Sequence, residues 1–418
     1  FIGVQNRGSL IKYSNGKSSW TSTRGASPFP DRPATELTSQ ALDAVEQIGS
    51  SWHSPKLEGL PPLTSGLVGL LGWDLIREIE YLPNVPQSDY ATPLMSLSMS
   101  SEMAIVDHHD GVIHLLSNAF KDSGADSEDL YAGALSKIEA MRAQLNDAII
   151  DPESTVAKVG PVTHRISQSE FMDSVAKAKE YVRIGDVFQV VLSQRFDIET
   201  DARPIDVYRN LRQLNPSPYM YLLNFEDDKG RFAVVGSSPE ALVTVIDGHA
   251  EMHPIAGSRP RGADAKRDQA LADELIADHK ERAEHLMLVD LARNDLLKVC
   301  QPDSVHVSEF MQIHKFSHIM HLNSTVEGTV IQGKSPVDVF RATFPAGTLS
   351  GAPKPRALEI IDELEPANRG AYAGVVGYFD FFGNADLAIA IRTAFMRDGI
   401  AHVQAGIREA YARLGKAC

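Results

Sequence analysis

A helical pattern between residues 271 and 287 places two glutamates, Glu281 and Glu284, on one face of a predicted helix. Apolar residues recur there at intervals of three and four, and positions three apart share a face. Two neighbouring carboxylates can bind Mg²⁺, which prefers oxygen ligands and water. Such pairs are also common on solvated helices, so the pair alone does not decide between a metal site and an exposed surface.

A turn rich in glycine and serine precedes a second helical pattern, in the stretch FPAGTLSGAPKPRALEIIDELEP at residues 344–366. Backbone N–H groups at the start of a helix lie at the positive end of its dipole and can bind a carboxylate or a phosphate. The spacing differs from that of the phosphate-binding P-loop. The alternative is an ordinary capped turn, with Ser350 as N-cap and Pro353 at an early helical position.

The composition predicts a large buried core and excludes several classes of partner. The chain has 418 residues, 43% of them hydrophobic, which is enough for more than one lobe. A formal net charge of −15 argues against binding to nucleic acid or an anionic membrane surface. The two cysteines imply no disulfide framework and fit a reducing, cytoplasmic compartment. We see no apolar run that could cross a membrane, and we expect a further segment before Phe1.

Local patterns also predict three elements in the first part of the chain. Residues 65–76 have the composition of a strand, and residues 103–119 have that of a hairpin that turns at Asp110–Gly111. Residues 128–145 follow a helical pattern. The polar segment 151–167 has no clear period and is a candidate boundary between two regions.

Three histidines, His314, His318 and His321, have the i, i+4, i+7 spacing of a zinc-binding helix. The β-branched residues of the segment 318–330 favour an extended conformation instead. We therefore expect a strand there and no zinc site.

Six motifs then occur in the second half of the chain: PIAGSRPRG, KERAEHLMLVDLARNDL, HIMHLNSTVEG, FPAGTLSGAPKPRALEIIDELEP, RGAYAGVVGYFDF and AIRTAF. As an ordered set they resemble the chorismate-utilising enzymes, and most closely the branch of anthranilate synthase large subunits. The resemblance implies an α+β fold in which two antiparallel β-sheets pack as a sandwich with helices outside. It also implies an N-terminal lobe at 1–155, regulatory or structural, and a chorismate-binding catalytic region at 160–418.

Two positions indicate the branch of this family. Members that add water carry a lysine base where this chain has Gln189; water needs a base near pH 7, whereas ammonia already carries a lone pair. Members that make 4-amino-4-deoxychorismate carry an attacking lysine where this chain has Ala256, which cannot form a covalent intermediate. The resemblance therefore implies that ammonia adds directly to chorismate, giving anthranilate and pyruvate in the first step of tryptophan biosynthesis. The alternatives are an aminodeoxychorismate or aminodeoxyisochorismate synthase and a catalytically weak regulatory paralogue.

The resemblance also assigns roles to individual residues. Glu240 matches the general acid, and His321 matches the histidine beside the reacting ring carbon. Mg²⁺ is the implied cofactor, and its implied ligands are Glu281, Glu284 and Glu409. The residues implied to bind the substrate are Thr348, Gly351, Tyr372, Arg392, Gly406 and Lys416. Among them, Arg392 suits a carboxylate because its planar guanidinium can form two parallel hydrogen bonds.

The C-terminal end departs from the family pattern. About ten loop residues that family members have are missing after Gly406, so the segment between Gly406 and Arg408 is either absent from the recorded chain or deleted. When the sequence is aligned on Lys416, Glu409 keeps the first glutamate of the family motif. Ala412 stands where the family has a second metal-binding glutamate.

A tryptophan site and a partner subunit are implied as well. The family binds tryptophan, its feedback inhibitor, between an N-terminal L-L-E-S segment and an N-P-x-P-Y-M segment. The residues that match the second segment are Asn215, Pro216, Pro218, Tyr219 and Met220; the alternative is a proline-rich turn between strands. The chain has no glutaminase nucleophile elbow. Its ammonia must come from solution or from a separate glutamine amidotransferase subunit (component II), which implies a hetero-oligomer.

Overall fold

The computed structural model describes residues 1–14, 16–22, 25–56, 58–122, 124–147, 157–316 and 319–407. The helices are α1 (Ala41–Gly49), α2 (Ser127–Asn146), α3 (Gln168–Arg183), α4 (Pro204–Leu214), α5 (Ala265–Ala277), α6 (His279–Leu297), α7 (Pro336–Thr343) and α8 (Lys354–Leu364). The strands are β1 (Ile2–Lys12), β2 (Ser19–Thr21), β3 (Gly66–Leu71), β4 (Met95–Asp107), β5 (Val112–Ser117), β6 (Val159–His164), β7 (Gln189–Val190), β8 (Leu192–Thr200), β9 (Tyr219–Asp227), β10 (Gly230–Ser238), β11 (Ala241–Ile246), β12 (His249–Met252), β13 (Ile255–Pro260), β14 (His306–Lys315), β15 (Ile319–Thr329), β16 (Gly351–Ala352), β17 (Val375–Asp380), β18 (Ala385–Ile389), β19 (Thr393–Arg397) and β20 (Ile400–Ile407).

The strands form two antiparallel sheets and a short ribbon. Twelve strands make the large sheet, in the order β13-β15-β12-β11-β18-β17-β3-β4-β1-β2, with β14 beside β15 and β5 beside β4. Six strands make the small sheet, in the order β6-β8-β20-β19-β10-β9, and β7 pairs with β16. Leu70 and Val376 of the large sheet share a buried cluster with Phe232 and Phe395 of the small sheet. The predicted α+β sandwich is therefore confirmed.

Strands from both ends of the chain share the large sheet. β3, from the first hundred residues, pairs along its whole length with β17, so that Val375 lies opposite Leu71 and Asp380 lies opposite Gly66. The predicted division at 155–160 stays a prediction. Residues 151–156 of the boundary segment lie outside the described residues, and β6 lies within the rest of it.

The local predictions were confirmed where one strong pattern fills an element. The helix predicted at 128–145 is α2, and the hairpin predicted around Asp110–Gly111 is formed by β4 and β5. The extended segment predicted after residue 318 is β15. His314 lies in β14 directly opposite His321 rather than on a common helix with it, and His318 lies outside the described residues.

The strand predicted at 65–76 is shorter than expected, since β3 ends at Leu71 and Trp73–Glu78 form a 3₁₀ helix. Two further local predictions were wrong. The pattern at 271–287 predicted one helix, but α5 ends at Ala277 and α6 begins at His279. Asp278 between them has an extended backbone, and its carboxylate accepts hydrogen bonds from the backbone N–H groups of Lys280 and Glu281 (3.0 and 3.2 Å). A capping carboxylate offsets the helical bonds that are lost at such a break.

The second error concerns the start of α8. Pro353 is the N-cap, and Ser350, predicted to be the cap, is buried and donates a hydrogen bond from Oγ to the carbonyl oxygen of Ala346 (2.9 Å). The serine therefore binds a carbonyl group of the preceding turn, four residues earlier in the chain, instead of capping α8. Among the described residues, no helix is long and apolar enough to cross a membrane.

Candidate active site

Glu240, the predicted general acid, lies in the short link between β10 and β11. Its Oε1 accepts a hydrogen bond from Oγ1 of Thr348 (2.9 Å), which comes from the glycine-rich turn before α8. The link is fixed to β18, because the backbone N–H of Ile389 donates to the carbonyl oxygen of Glu240 (2.9 Å). Ser238 Oγ also donates to the carbonyl oxygen of Ile389 (2.6 Å). The structure thus brings a predicted catalytic residue and a predicted substrate-binding residue into direct contact.

His321, on β15, is held by the neighbouring strand β13. Its Nδ1 lies 3.1 Å from the carbonyl oxygen of Gly257, and because a carbonyl oxygen only accepts, Nδ1 carries a proton. In the neutral ring the lone pair is therefore on Nε2. Phe316 packs edge-on against the imidazole, with ring centroids 5.9 Å apart. These two contacts fix both the orientation and the tautomer of a group that can accept a proton.

Glu240 and His321 line one cavity of about 410 Å³, together with Arg392. Ala256, the position at which one branch of the resembling enzymes carries a lysine, also lines it and is almost fully buried. The described lining includes no lysine. Its apolar part comes from Leu214, Ile255, Ile319 and Ile391. A carboxyl, an imidazole and a guanidinium around an apolar pocket of this size suit a small anionic molecule.

Gln189 lies in the ribbon beside the glycine-rich turn. It is 4% exposed and pairs with Ala352, next to Gly351. Gly351 has φ +138°, and a side chain there would overlap the carbonyl group of Gln189, so only glycine allows this approach. Within the described part of the chain, Oε1 of Gln189 is buried and has no hydrogen-bond partner. A buried amide oxygen of this kind is a ready acceptor for a bound N–H or O–H group.

Tyr372 and Gly406, both predicted to bind substrate, are also neighbours. The Tyr372 hydroxyl accepts a hydrogen bond from the backbone N–H of Gly406, on the last described strand. Burial raises the pKa of Tyr372 to about 12, so at neutral pH its hydroxyl keeps a proton that it can donate. Val191 packs against Gly406 and links this pair to the ribbon that holds Gln189.

Glu281 and Glu284 lie in the first two turns of α6 and are both half-buried. Glu281 packs against Gly257, the residue that holds His321. Arg259 Nη1 is 4.0 Å from Glu281 Oε1, which is the limit of an ion pair. Two half-buried carboxylates at a helix N-terminus fit Mg²⁺, which binds through one or two carboxylates and keeps sites for water and substrate oxygens. The third predicted ligand, Glu409, lies outside the described residues, as does Lys416.

The segment predicted to bind tryptophan borders the same cavity. Asn215, Pro216 and Pro218 line it, while Tyr219 and Met220 begin β9. Asn215 Oδ1 accepts a long hydrogen bond from Arg392 Nη1 (3.5 Å), and the Asn215 carbonyl oxygen accepts one from Ser237 Oγ (2.6 Å). No sequence pattern indicated that this segment would contact a predicted substrate-binding arginine.

Comparison with known proteins places this geometry in a family. The chain matches the chorismate binding enzyme family over residues 11–407. It belongs to the chorismate binding enzymes. It is 46% identical to anthranilate synthase component 1 of Arthrobacter globiformis over 97% of this chain and 76% of that protein. It is 50% identical to the protein of the same name from Mycolicibacterium smegmatis, over 87% and 71% of the two chains.

A solved structure gives the same result. The crystal structure of anthranilate synthase component I from Streptococcus pneumoniae superposes with a TM-score of 0.82 at 34% identity, covering 97% of this chain and 86% of that one. Among the chorismate binding enzymes, this chain is therefore similar to anthranilate synthase component I in both sequence and fold.

Sequence reasoning missed the contact that fixes α6 in this chorismate binding enzyme. His285, fully buried, lies 2.6 Å through Nε2 from Oγ of Ser324 on β15. That serine oxygen also accepts the backbone N–H of Met311 (2.9 Å). Both residues stand inside motifs quoted above. One feature of the sequence could have indicated this contact: His285 lies four positions after Glu281 and therefore on the same helix face.

Gly406→Ala tests the contact between Tyr372 and Gly406. A methyl group there would overlap the Tyr372 hydroxyl, so we expect a loss of about 1–3 kcal/mol in the free energy of unfolding, typical of overpacking. Tyr372→Phe removes the overlapping oxygen. Urea unfolding of the four proteins of the double-mutant cycle should show that Gly406→Ala costs less in the Tyr372→Phe background. Equal costs in both backgrounds would contradict the contact.

Proposed function

We propose that this chain is the chorismate-converting subunit of an anthranilate synthase, which forms anthranilate, pyruvate and water from chorismate and ammonia. The observation that carries the proposal is the cavity of Glu240 and His321, in which Ala256 stands where a covalent branch would need lysine. The buried Gln189, which is not a base, stands where a water-adding branch would need one. The names of the relatives at 46% and 50% identity support the same reaction.

Different described side chains can carry out the different steps of this reaction. Ammonia forms a bond to C2 of the ring while the bond from C4 to its hydroxyl breaks, and Glu240 gives the leaving oxygen a proton. The Thr348 hydroxyl fixes that carboxyl group. Gln189 Oε1 accepts a hydrogen bond from ammonia and orients its lone pair toward the ring. His321 accepts the C2 proton at Nε2 as the C3–O bond breaks and the ring becomes aromatic. The enolate that leaves takes up a proton to give pyruvate, and the ammonium group at C2 gives one up.

The substrate carboxylates are met by local cations and hydroxyl groups, since the net charge of −15 gives no general attraction for an anion. Arg392 is exposed at the cavity and can hold one carboxylate with two hydrogen bonds. The protonated Tyr372 hydroxyl can donate another hydrogen bond. Mg²⁺ held by Glu281 and Glu284 would supply positive charge against the ring carboxylate when bound.

We further propose that ammonia reaches the cavity from a separate glutamine amidotransferase subunit. The word component in the names of the relatives supports a complex of more than one chain. The isolated chain should then use ammonium salts but not glutamine.

An assay with chorismate, Mg²⁺ and ammonium tests the reaction. We expect anthranilate, detected by fluorescence and mass, in equal amount to pyruvate. Glu240→Gln should lower turnover by about 10²–10⁴-fold, the usual contribution of a general acid. Glu226→Gln, an exposed carboxylate on β9, should leave turnover unchanged. Isochorismate or 4-amino-4-deoxychorismate as the main product, or no turnover at all, would overturn the proposal.

The metal ligands can be tested on one helix. A chelator should abolish activity with ammonium, and added Mg²⁺ should restore it. Glu284→Gln keeps the shape of the side chain but removes its charge, so turnover should fall at least about a hundredfold. Asp290→Asn, an exposed carboxylate later on α6, is the matched control. Full activity in the presence of the chelator would refute the metal assignment.

We also propose that tryptophan inhibits the enzyme by binding at the segment that contains Asn215, Pro218 and Met220. The contact between Asn215 and Arg392 supports this, because a ligand that moves the asparagine also moves a group that binds substrate. Binding of either ligand must then weaken binding of the other by the same factor, typically about 5–150-fold.

Calorimetry on the full encoded protein tests this linkage. Tryptophan should bind, and saturating chorismate should weaken its binding. Met220→Thr should weaken tryptophan binding without changing turnover, whereas Met172→Thr, an exposed methionine of α3, should change neither. Absence of tryptophan binding, with or without chorismate, would leave the segment as a turn between α4 and β9.

A further inference from the structure

A group of imidazole and carboxylate side chains meets on the large sheet, away from the cavity of Glu240 and His321. His249 and Glu251 are two positions apart on β12, so they share a face. Glu251 lies directly opposite Glu327 of β15. One nitrogen and two carboxylate oxygens of these three half-buried residues lie within 4.8 Å of one another, and no other group of this kind occurs among the described residues.

Strand pairing forces the two carboxylates together, which costs free energy unless a cation lies between them. Within the described part of the chain, the ion-pair partners of Glu251 and Glu327 are all histidines. His249 Nε2 is 3.4 Å from Glu327 Oε2 and 3.8 Å from Glu251 Oε1. On the far side of Glu251, His253 Nε2 is 3.8 Å from Oε2. No described lysine or arginine forms an ion pair with either carboxylate.

His306, on β14, also contacts one of the two carboxylates. Its Nδ1 lies 2.8 Å from the carbonyl oxygen of Ser304, so Nδ1 carries a proton. Its Nε2 then faces Oε1 of Glu327 at 2.9 Å. This contact places a third histidine beside the two carboxylates, after His249 and His253. An imidazole that donates its Nδ1 proton to a backbone carbonyl is also the usual arrangement around a metal.

The distances suit a small divalent ion. Four ligands at about 2.0–2.2 Å around a tetrahedral zinc lie about 3.3–3.6 Å from one another, close to the 3.4 and 3.8 Å found around His249 Nε2. Imidazole and carboxylate together suit zinc and its neighbours better than Mg²⁺. We propose that His249, Glu251 and Glu327 bind a divalent transition-metal ion of the zinc class.

Such an ion would join β12 to β15, and β15 carries His321. It would be separate from the magnesium ligands proposed on α6, since it uses none of their side chains. Its effect would be on stability, because it cross-links two strands that already pair at Glu251 and Glu327.

Metal titration of the tag-free full chain, in millimolar Mg²⁺ to occupy the site on α6, tests the proposal. We expect one Co²⁺ per chain with visible absorption bands, displaced by Zn²⁺, and a higher melting temperature with zinc. His249→Gln and Glu327→Gln should each weaken metal affinity at least tenfold, since even the loss of an outer partner costs about 10–100-fold. Glu281→Gln, on α6, should leave this affinity unchanged.

His314→Gln is the matched control. This histidine also contacts a carboxylate on the large sheet, Glu309, at 3.0 Å, but it belongs to no three-ligand group, so metal affinity should not change. X-ray absorption at the zinc edge of the wild-type protein needs no variant to fold. It should show nitrogen and oxygen donors with imidazole scattering. No bound ion, no imidazole scattering, or equal affinity in wild type and His249→Gln would overturn the proposal.

Discussion

One buried ion pair, between Arg369 and Glu365, connects the parts of this molecule that carry the candidate site. Arg369 is 1% exposed, and its guanidinium binds both oxygens of Glu365 (2.9 and 2.7 Å). It also donates to the carbonyl oxygens of Leu349 (2.7 Å) and Val191 (2.6 Å) and stacks on the ring of Trp73. A buried charge of this kind is stable only when nearly every polar atom is satisfied, and removal of one partner typically costs about 3–5 kcal/mol.

The groups that bind the Arg369 guanidinium also contact the segments that carry the site residues. Leu349 belongs to the turn that carries Thr348 and Gly351, and Val191 packs against Gly406. Glu365 in turn accepts hydrogen bonds from the backbone N–H and Oγ of Ser193, near the start of β8 in the small sheet (2.8 and 2.9 Å). The pair therefore fixes the glycine-rich turn against the small sheet. It thereby holds in position the residues that are proposed to bind substrate. Such rigid support is what precise positioning of a substrate requires.

Local sequence patterns were reliable where a turn signal or a helical period lies within one element. The turn at Asp110–Gly111 between β4 and β5 and the helical pattern of α2 needed no tertiary information. The pattern failed at Asp278, because an apolar period cannot reveal that a carboxylate caps a new helix there. The pattern also failed at Ser350. A serine hydroxyl can bind either a helix terminus or a turn carbonyl, and here it binds the carbonyl oxygen of Ala346.

By itself, the sequence determined the residue types of the site and, through its ordered motifs, the family. Glu240 and His321 are groups that can exchange protons, and Gln189 and Ala256 stand where other branches have lysine. These residue types distinguish a lysine-dependent reaction from one without lysine. Only the tertiary structure decided which of these residues meet. Thr348 reaches Glu240 across 108 positions, and Arg392 reaches Asn215 across 177. Contacts of that separation depend on strand order and on how two sheets pack, and no local period in a sequence encodes either.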